Sequence, residues 1–248
     1  MLCLTDPFAW WETLRVDTMT LLEESEVYRA MPLTSDRQRI GFYNSDDPSR
    51  DGPSKKGMRS SAAVLEVLAD CSIIAAVNSP ETFSAALDSP TQAIYLLTGN
   101  PLNLPEMLAR ARDRGKVCLI NIDFLDGLAR DRYAVEFLAA HQADGIVSTR
   151  FETLKSAHAL GLITVQRTFA IDSAAVTAVL KSLGQFVPDA IEVLPAMATP
   201  KVARRMHAVH PGLALIGGGL IENVKEIEAL LASGVRSVSV SDPRLWII

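Results

Sequence analysis

Apolar residues along this chain fall into short, nearly continuous runs separated by stretches in which they recur every three or four positions. Runs rich in Val, Ile, Leu and Ala occupy 72–77, 93–97, 117–122, 145–148, 162–166, 190–194, 213–216 and 237–241. Strands buried on both faces lose the in–out alternation and read in this way. Between the runs, helical periodicity covers 81–87, 104–114, 131–141, 150–159, 173–186, 201–209 and 221–232. Ser79-Pro80-Glu81, Asp172 and Thr199-Pro200 supply helix starts, and Gly161, Gly184 and Gly234 stand where helices end. Eight strands alternating with seven full helices predict an α/β fold, a single closed TIM-like (β/α)8 barrel. A flavodoxin-like open sheet is the competing layout, and it would have to discard two or three of the runs.

The first 57 residues break the pattern. Positions 31–56 hold Pro32, Gly41, Pro48, Gly52 and Pro53 among many Ser, Asp and Arg residues. A stretch of that kind buries too little apolar surface to offset its ordering entropy. Residues 1–57 therefore read as an irregular N-terminal extension and residues 58–248 as the barrel. Phe8-Ala-Trp-Trp11, Leu14, Leu21 and Leu22 are spaced for one short amphipathic helix within that extension.

Composition narrows the function classes. The 248 residues are 48% hydrophobic, with a formal charge of −5. Residues 58–248 carry 17 Lys and Arg against 19 Asp and Glu, so no broad basic surface advertises nucleic-acid binding. Local clusters at Arg110, Arg112, Arg114 and Lys116 and at Lys201, Arg204 and Arg205 are the candidate patches, with Tyr133, Phe151 and Trp246 as candidate stacking aromatics. Cys3, Cys71 and Cys118 are odd in number and share no C-x-x-C spacing, which argues against a disulfide framework or a zinc site. No long apolar run or leader pattern is visible, so the expectation is a cytoplasmic protein with no membrane partner.

Barrel sites gather where strands end. The last two runs end in Gly217, Gly218 and Gly219 and in Ser239 and Ser241. Glycines let an anion approach the main chain, and helix starts near Glu222 and Asp242 would aim positive ends at the same spot. A phosphorylated small molecule is the expected ligand. Other strand ends supply Asp123, Arg150, Gln166, Arg167 and Glu192, a mixed ring suited to an anionic polyol. No lysine ends a strand, and Lys116 begins one, which disfavours a Schiff-base aldolase. His141, His158, His207 and His210 fall on helices or helix ends, and neither a metal nor a cofactor is expected. Two further readings stay open: a phosphate-ester isomerase, epimerase or prenyltransferase with Asp123 and Glu192 as acid and base, and a protein-interaction scaffold.

Asp123-Phe-Leu-Asp-Gly-Leu128, Asp144-Gly-Ile-Val-Ser-Thr-Arg150, Gln166-Arg167, Glu192-Val-Leu-Pro195, Gly217-Gly-Gly-Leu-Ile221 and the closing Ser241 with Leu245-Trp246 occur in order. Together they resemble the glycerol-3-phosphate-responsive antiterminator family over position 72 to the end. The resemblance implies a barrel without catalytic residues, which binds glycerol 3-phosphate and acts on an mRNA leader in transcription antitermination. It assigns the phosphate to Gly218, Gly219, Ser239 and Ser241, and the glycerol end to Asp123, Arg167 and Glu192, with Gln166 and Arg150 nearby. The loop 124–130 is expected to close over the ligand. Asn121 stands where a histidine is usual in the family, and the long extension is foreign to its short members.

Overall fold

The computed structural model describes residues 59–247. The expected tail, its amphipathic helix and the boundary at position 58 lie outside the described residues. Eight parallel strands close on themselves in chain order: β1 (Ile73–Val77), β2 (Ala93–Leu96), β3 (Val117–Asn121), β4 (Gly145–Ser148), β5 (Ile163–Phe169), β6 (Ala190–Leu194), β7 (Ala214–Gly218) and β8 (Ser237–Val240). Pairing of β1 with β8, Ile74 opposite Ser239, completes the ring and excludes the open sheet.

Helices follow seven of the strands: α2 (Pro80–Asp88), α3 (Leu104–Asp113), α4 (Arg132–Ala140), α5 (Phe151–His158), α6 (Ser173–Leu183), α7 (Thr199–His207) and α8 (Val224–Ala232). Two of the three predicted starts, at Ser79 and Asp172, are built as side-chain caps, whereas Thr199 is the first helical residue of α7 and makes no cap hydrogen bond. Ser79 and Thr82 form a reciprocal capping box, and Asp131, Asp172 and Asn223 each cap a helix through a side-chain oxygen. Strand side chains alternate between two cores. Ile73, Ala75 and Val77 of β1 pack outward against the helices, whereas Ile74 and Ala76 point inward with Ala93, Leu119, Val147, Val165, Ala214 and Ile216.

One helix comes in addition to those read from the pattern. α1 (Ser61–Asp70) precedes β1 and places Val64, Leu65 and Leu68 in the same core as the inward strand residues. Arg59 Nη1 donates to the Lys116 carbonyl at 2.7 Å and lies 3.2 Å from Asp144 Oδ2, and Ser61 Oγ donates to the Gly161 carbonyl at 2.6 Å. All three partners stand just before strands, so α1 closes the N-terminal end of the barrel. The opposite end, where the strands finish, is left for a ligand.

After β8 the chain makes only a three-residue 3-10 turn, Pro243–Leu245, which corrects the expectation of a helix starting near Asp242. Asp242 caps that turn instead, accepting from Arg244 N. A single such turn has no extended dipole to offer an anion. The Trp246 indole then anchors the segment by donating to the Val240 carbonyl at 2.7 Å.

Candidate functional site

The upper layer of inward-facing residues is polar on β5, β6 and β8 and bare of a side chain on β7. On β5, Val165 is followed two residues later by Arg167; on β6, Ala190 by Glu192; on β7, Ile216 by Gly218; on β8, Ser237 by Ser239. Register sets Arg167 beside Glu192 and Gly218 beside Ser239. Glu192 is buried, and its Oε1 accepts from Ser239 Oγ at 2.6 Å while Oε2 lies 3.4 Å from Arg167 Nε. The second contact is an ion pair without hydrogen-bond alignment, and Arg167 Nε, Arg167 Nη1 and Glu192 Oε2 are all buried without a hydrogen-bond partner. Burial raises the Glu192 carboxyl above its ordinary pKa, an effect opposed by the guanidinium and the serine hydroxyl.

Above this layer lies a cavity of about 330 Å³, lined by Ala76, Tyr95, Leu97, Arg167, Glu192, Gly219, Leu220, Ile221, Ser239, Val240 and Ser241. That volume sits at the small end of ligand pockets, roughly 300–1,000 Å³. Its rim on the β7 side is a turn in which Gly219 (φ +76°) and Leu220 (φ +58°) both adopt left-handed backbone. Such a conformation is uncommon for leucine, and Leu220 is exposed, so no burial of its side chain compensates. Arg167 carries the cavity outward, because its guanidinium carbon lies 5.2 Å from the Phe124 ring centroid and 5.9 Å from that of Phe169. Both rings are half exposed at the mouth.

Of the ten residues expected at the site, five line this cavity: Arg167, Glu192, Gly219, Ser239 and Ser241. Gly218 lies directly beneath. A Cβ there would stand 2.6 Å from Glu192 Oε1 and 2.7 Å from Ser239 Oγ, so the glutamate carboxylate already fills the space that the glycine leaves open. Gly217 faces outward, where a Cβ would meet Thr199 Oγ1 at 3.3 Å and Ala196 at 3.4 Å; its small size admits the segment after β6. Asp123 has both oxygens engaged by the end of β4. Ser148 Oγ donates to Oδ1 at 2.9 Å, and Thr149 N and Oγ1 donate to Oδ2 at 2.7 and 2.9 Å. Arg150 is exposed at the start of α5, its backbone N–H donating to Ser148 Oγ. Gln166 has the outward parity of β5, opposite to Arg167, and its buried Oε1 has no hydrogen-bond partner.

Tyr95 is the polar cavity residue that the motif reading passed over. It is fully buried on β2 with its hydroxyl unpartnered, and a polar-tipped aromatic two residues after the inward Ala93 is the signal that marks it. Elsewhere, Lys116 lies at the opposite end of the barrel, its Nζ donating to the Ser89 and Thr91 carbonyls at 2.6 and 2.7 Å. Among the described residues no group of three or more His, Cys, Asp or Glu could hold a metal ion, and no helix is long and apolar enough to cross a membrane. Trp246 is buried and Phe151 packs edge-on against Phe186, so of the three candidate stacking aromatics only Tyr133 is well exposed.

Known proteins bring this geometry into focus. A solved glycerol uptake operon antiterminator regulatory protein from Listeria monocytogenes is 30% identical, with a TM-score of 0.67 over 71% of this chain and 95% of its own. A glycerol uptake operon antiterminator-related protein from Thermotoga maritima is 31% identical, with a TM-score of 0.64 over 71% of this chain and 98% of its own. The uncharacterized protein YgcP of Escherichia coli is 29% identical over 184 residues, which is 74% of this chain and 95% of YgcP. Deoxyribose phosphate aldolase from Aeropyrum pernix, at 13% identity and a TM-score of 0.54, shares the fold alone. The model of the glycerol-3-phosphate responsive antiterminators matches residues 73–246, which hold every strand of the barrel and every wall of its cavity, and the chain belongs to that family.

Proposed function

We propose that this barrel is a ligand-responsive regulator that holds glycerol 3-phosphate in the cavity at its C-terminal mouth. The observation that carries the reading is the buried Arg167–Glu192 pair, whose unpartnered donors and acceptor face a small cavity. A buried polar atom left unsatisfied costs about 1–3 kcal/mol, so a guest that completes several of them binds with that advantage. The phosphate rests against the main chain of Gly219 to Ile221 and the Ser241 hydroxyl, within reach of the Arg167 fork. The glycerol end points inward, toward Glu192 and Ser239. Because the Glu192 carboxylate occupies the space over Gly218, the anion sits above that layer and not in it. Asp123 shapes the mouth by fixing Ser148 and Thr149, with Gln166 and Arg150 behind and beside it.

Regulation follows from Arg167, which touches the cavity on one side and Phe124 on the other. Phe124 opens the loop 124–130, whose Arg130 Nη2 donates to the Asp123 carbonyl at 2.5 Å and whose Asp126 N–H donates to the Gly99 carbonyl at 3.0 Å. Ligand that draws the guanidinium inward shifts this loop between two arrangements, and an mRNA leader that prefers one of them is the partner. A ligand moves such a balance only by its difference in affinity for the two states.

Calorimetry of the full chain with glycerol 3-phosphate, glycerol and inorganic phosphate tests the ligand half; the ester must bind more tightly than either fragment. A gel shift with a leader RNA tests the other half, and its affinity must respond to ligand and fall steeply with salt. The raised proton affinity of Glu192 favours one rival, a phosphate-ester enzyme using it as acid. Asp123 would be its partner base, but that carboxylate is engaged with Ser148 and Thr149. Turnover of a triose or pentose phosphate by the purified protein would establish the rival.

A further inference from the structure

Tyr95 is an unexplained expense in an otherwise apolar strand. Its neighbours in β2 are Ala93, Ile94 and Leu96, and a phenylalanine would fill the same space. The hydroxyl is buried without a hydrogen-bond partner, and burying a polar group unpaired is unfavourable. Yet the residue lines the cavity that Arg167 and Glu192 also line. In a ring of eight strands β2 stands four places from β6, so Tyr95 and Glu192 face each other across the barrel.

A second orphan lies on the same side. Asn121, fully buried on the inward parity of β3, follows by two residues Leu119, the register partner of Tyr95. Its Oδ1 accepts from Asp123 N at 3.2 Å, but its Nδ2 has no partner. Burial, reinforced by the Glu192 carboxylate, pushes the Tyr95 phenol well above its ordinary pKa, so the group is a neutral hydroxyl able both to donate and to accept.

Building on the glycerol 3-phosphate site proposed above, we infer that Tyr95, with Asn121 on the neighbouring strand β3, is the specificity-determining contact for the hydroxyl-bearing end of the ligand. Glu192 and Arg167 grip the guest from one wall and Tyr95 from the facing wall. The site therefore takes a polyol monophosphate, in which a ligand hydroxyl satisfies the phenol, and discriminates against esters of the same length that lack hydroxyls. Sites built to hydrogen-bond a substrate hydroxyl reject the analogue lacking it, because their own polar groups are left unpaired.

The test is calorimetry of the full chain and its Tyr95→Phe variant with glycerol 3-phosphate and with propyl phosphate, which has the same three carbons and no hydroxyl on them. The wild type is expected to prefer glycerol 3-phosphate. Tyr95→Phe is expected to weaken that ester about tenfold while leaving propyl phosphate within about twofold. Without ligand the variant should melt at or above the wild-type temperature, because it removes an unpaired hydroxyl. Asn121→Ser, which keeps a short acceptor for Asp123 N but loses the reach of Nδ2, should lower affinity in the same selective way. Equal loss for both esters, no loss for either, or a lower melting temperature of ligand-free Tyr95→Phe overturns the inference and leaves the phosphate site standing. A wild type that binds neither ester overturns both.

Discussion

Ser239 on β8 donates to Glu192 on β6 at 2.6 Å although a whole strand lies between them. The contact exists because Gly218, on the intervening β7, has no side chain to block it. A Cβ at that position would stand within 2.7 Å of both partners, closer than packed atoms tolerate. Gly218→Ala should therefore split the pair, push the carboxylate toward Arg167 and narrow the cavity. Overpacking of this kind costs about 1–3 kcal/mol. Urea denaturation should register that loss, and calorimetry should show weaker binding of glycerol 3-phosphate in the variant.

The same carboxylate should give the protein a pH dependence whose sign is set by burial. Burial raises the Glu192 pKa in the folded state above its ordinary 4.5, so the folded protein holds this proton more tightly than the unfolded chain. Its contribution to stability is fully present below pH 4.5 and is lost as pH rises through the folded-state pKa. Glu192→Gln removes that titration. The melting temperature of the wild type, measured relative to Glu192→Gln, is expected to fall as pH rises above 4.5. A difference that stays flat or grows with pH would mean that the charged form is the better accommodated one.

Arg167 is tied to Glu192 inside the barrel, and its guanidinium lies over the Phe124 and Phe169 rings at the mouth. Lysine preserves the charge but neither the planar fork nor the stacking face. Arg167→Lys should weaken glycerol 3-phosphate binding by about 1.5–3 kcal/mol, roughly tenfold to a hundredfold, as expected for losing a charged hydrogen bond. Calorimetry measures it, and a variant that binds as the wild type does would remove the guanidinium from the phosphate site.

Most strands were legible because they are apolar on both faces, β8 with its inward Ser237 and Ser239 being an exception, and their count distinguished a closed barrel from an open sheet. β5 runs to Phe169, three residues past the apolar stretch, because Arg167 and Thr168 are polar residues that pair with β6. Polar residues at strand ends break the pattern where the site is. α1 escaped because its three buried residues precede the first strand and the chain before them reads as irregular. Asp123 and Arg150 could be placed near the mouth from order alone. Whether a side chain faces the cavity depends on strand parity, which separates Arg167 from the adjacent Gln166, and on a reach across β7 that Glu192 makes only above a glycine. Tyr95 was visible as the one polar tip in β2, yet its value depends on what stands opposite.

Trp246 secures the wall that carries Ser241. Its buried indole donates to the carbonyl of Val240, the last residue of β8 and the neighbour of Ser241 along the chain. Trp246→Phe keeps an aromatic ring but leaves that carbonyl without its donor, at a cost of about 1–3 kcal/mol. The loss should appear first as weaker ligand binding, because the segment that loosens holds a hydroxyl proposed to meet the phosphate. Hydrogen exchange at Val240 and Ser241, compared with that of β3 elsewhere in the barrel, would separate local loosening from general destabilisation. Faster exchange confined to 240–246 together with reduced glycerol 3-phosphate affinity is the expected outcome, and unchanged affinity despite that loosening would take Ser241 out of the phosphate site.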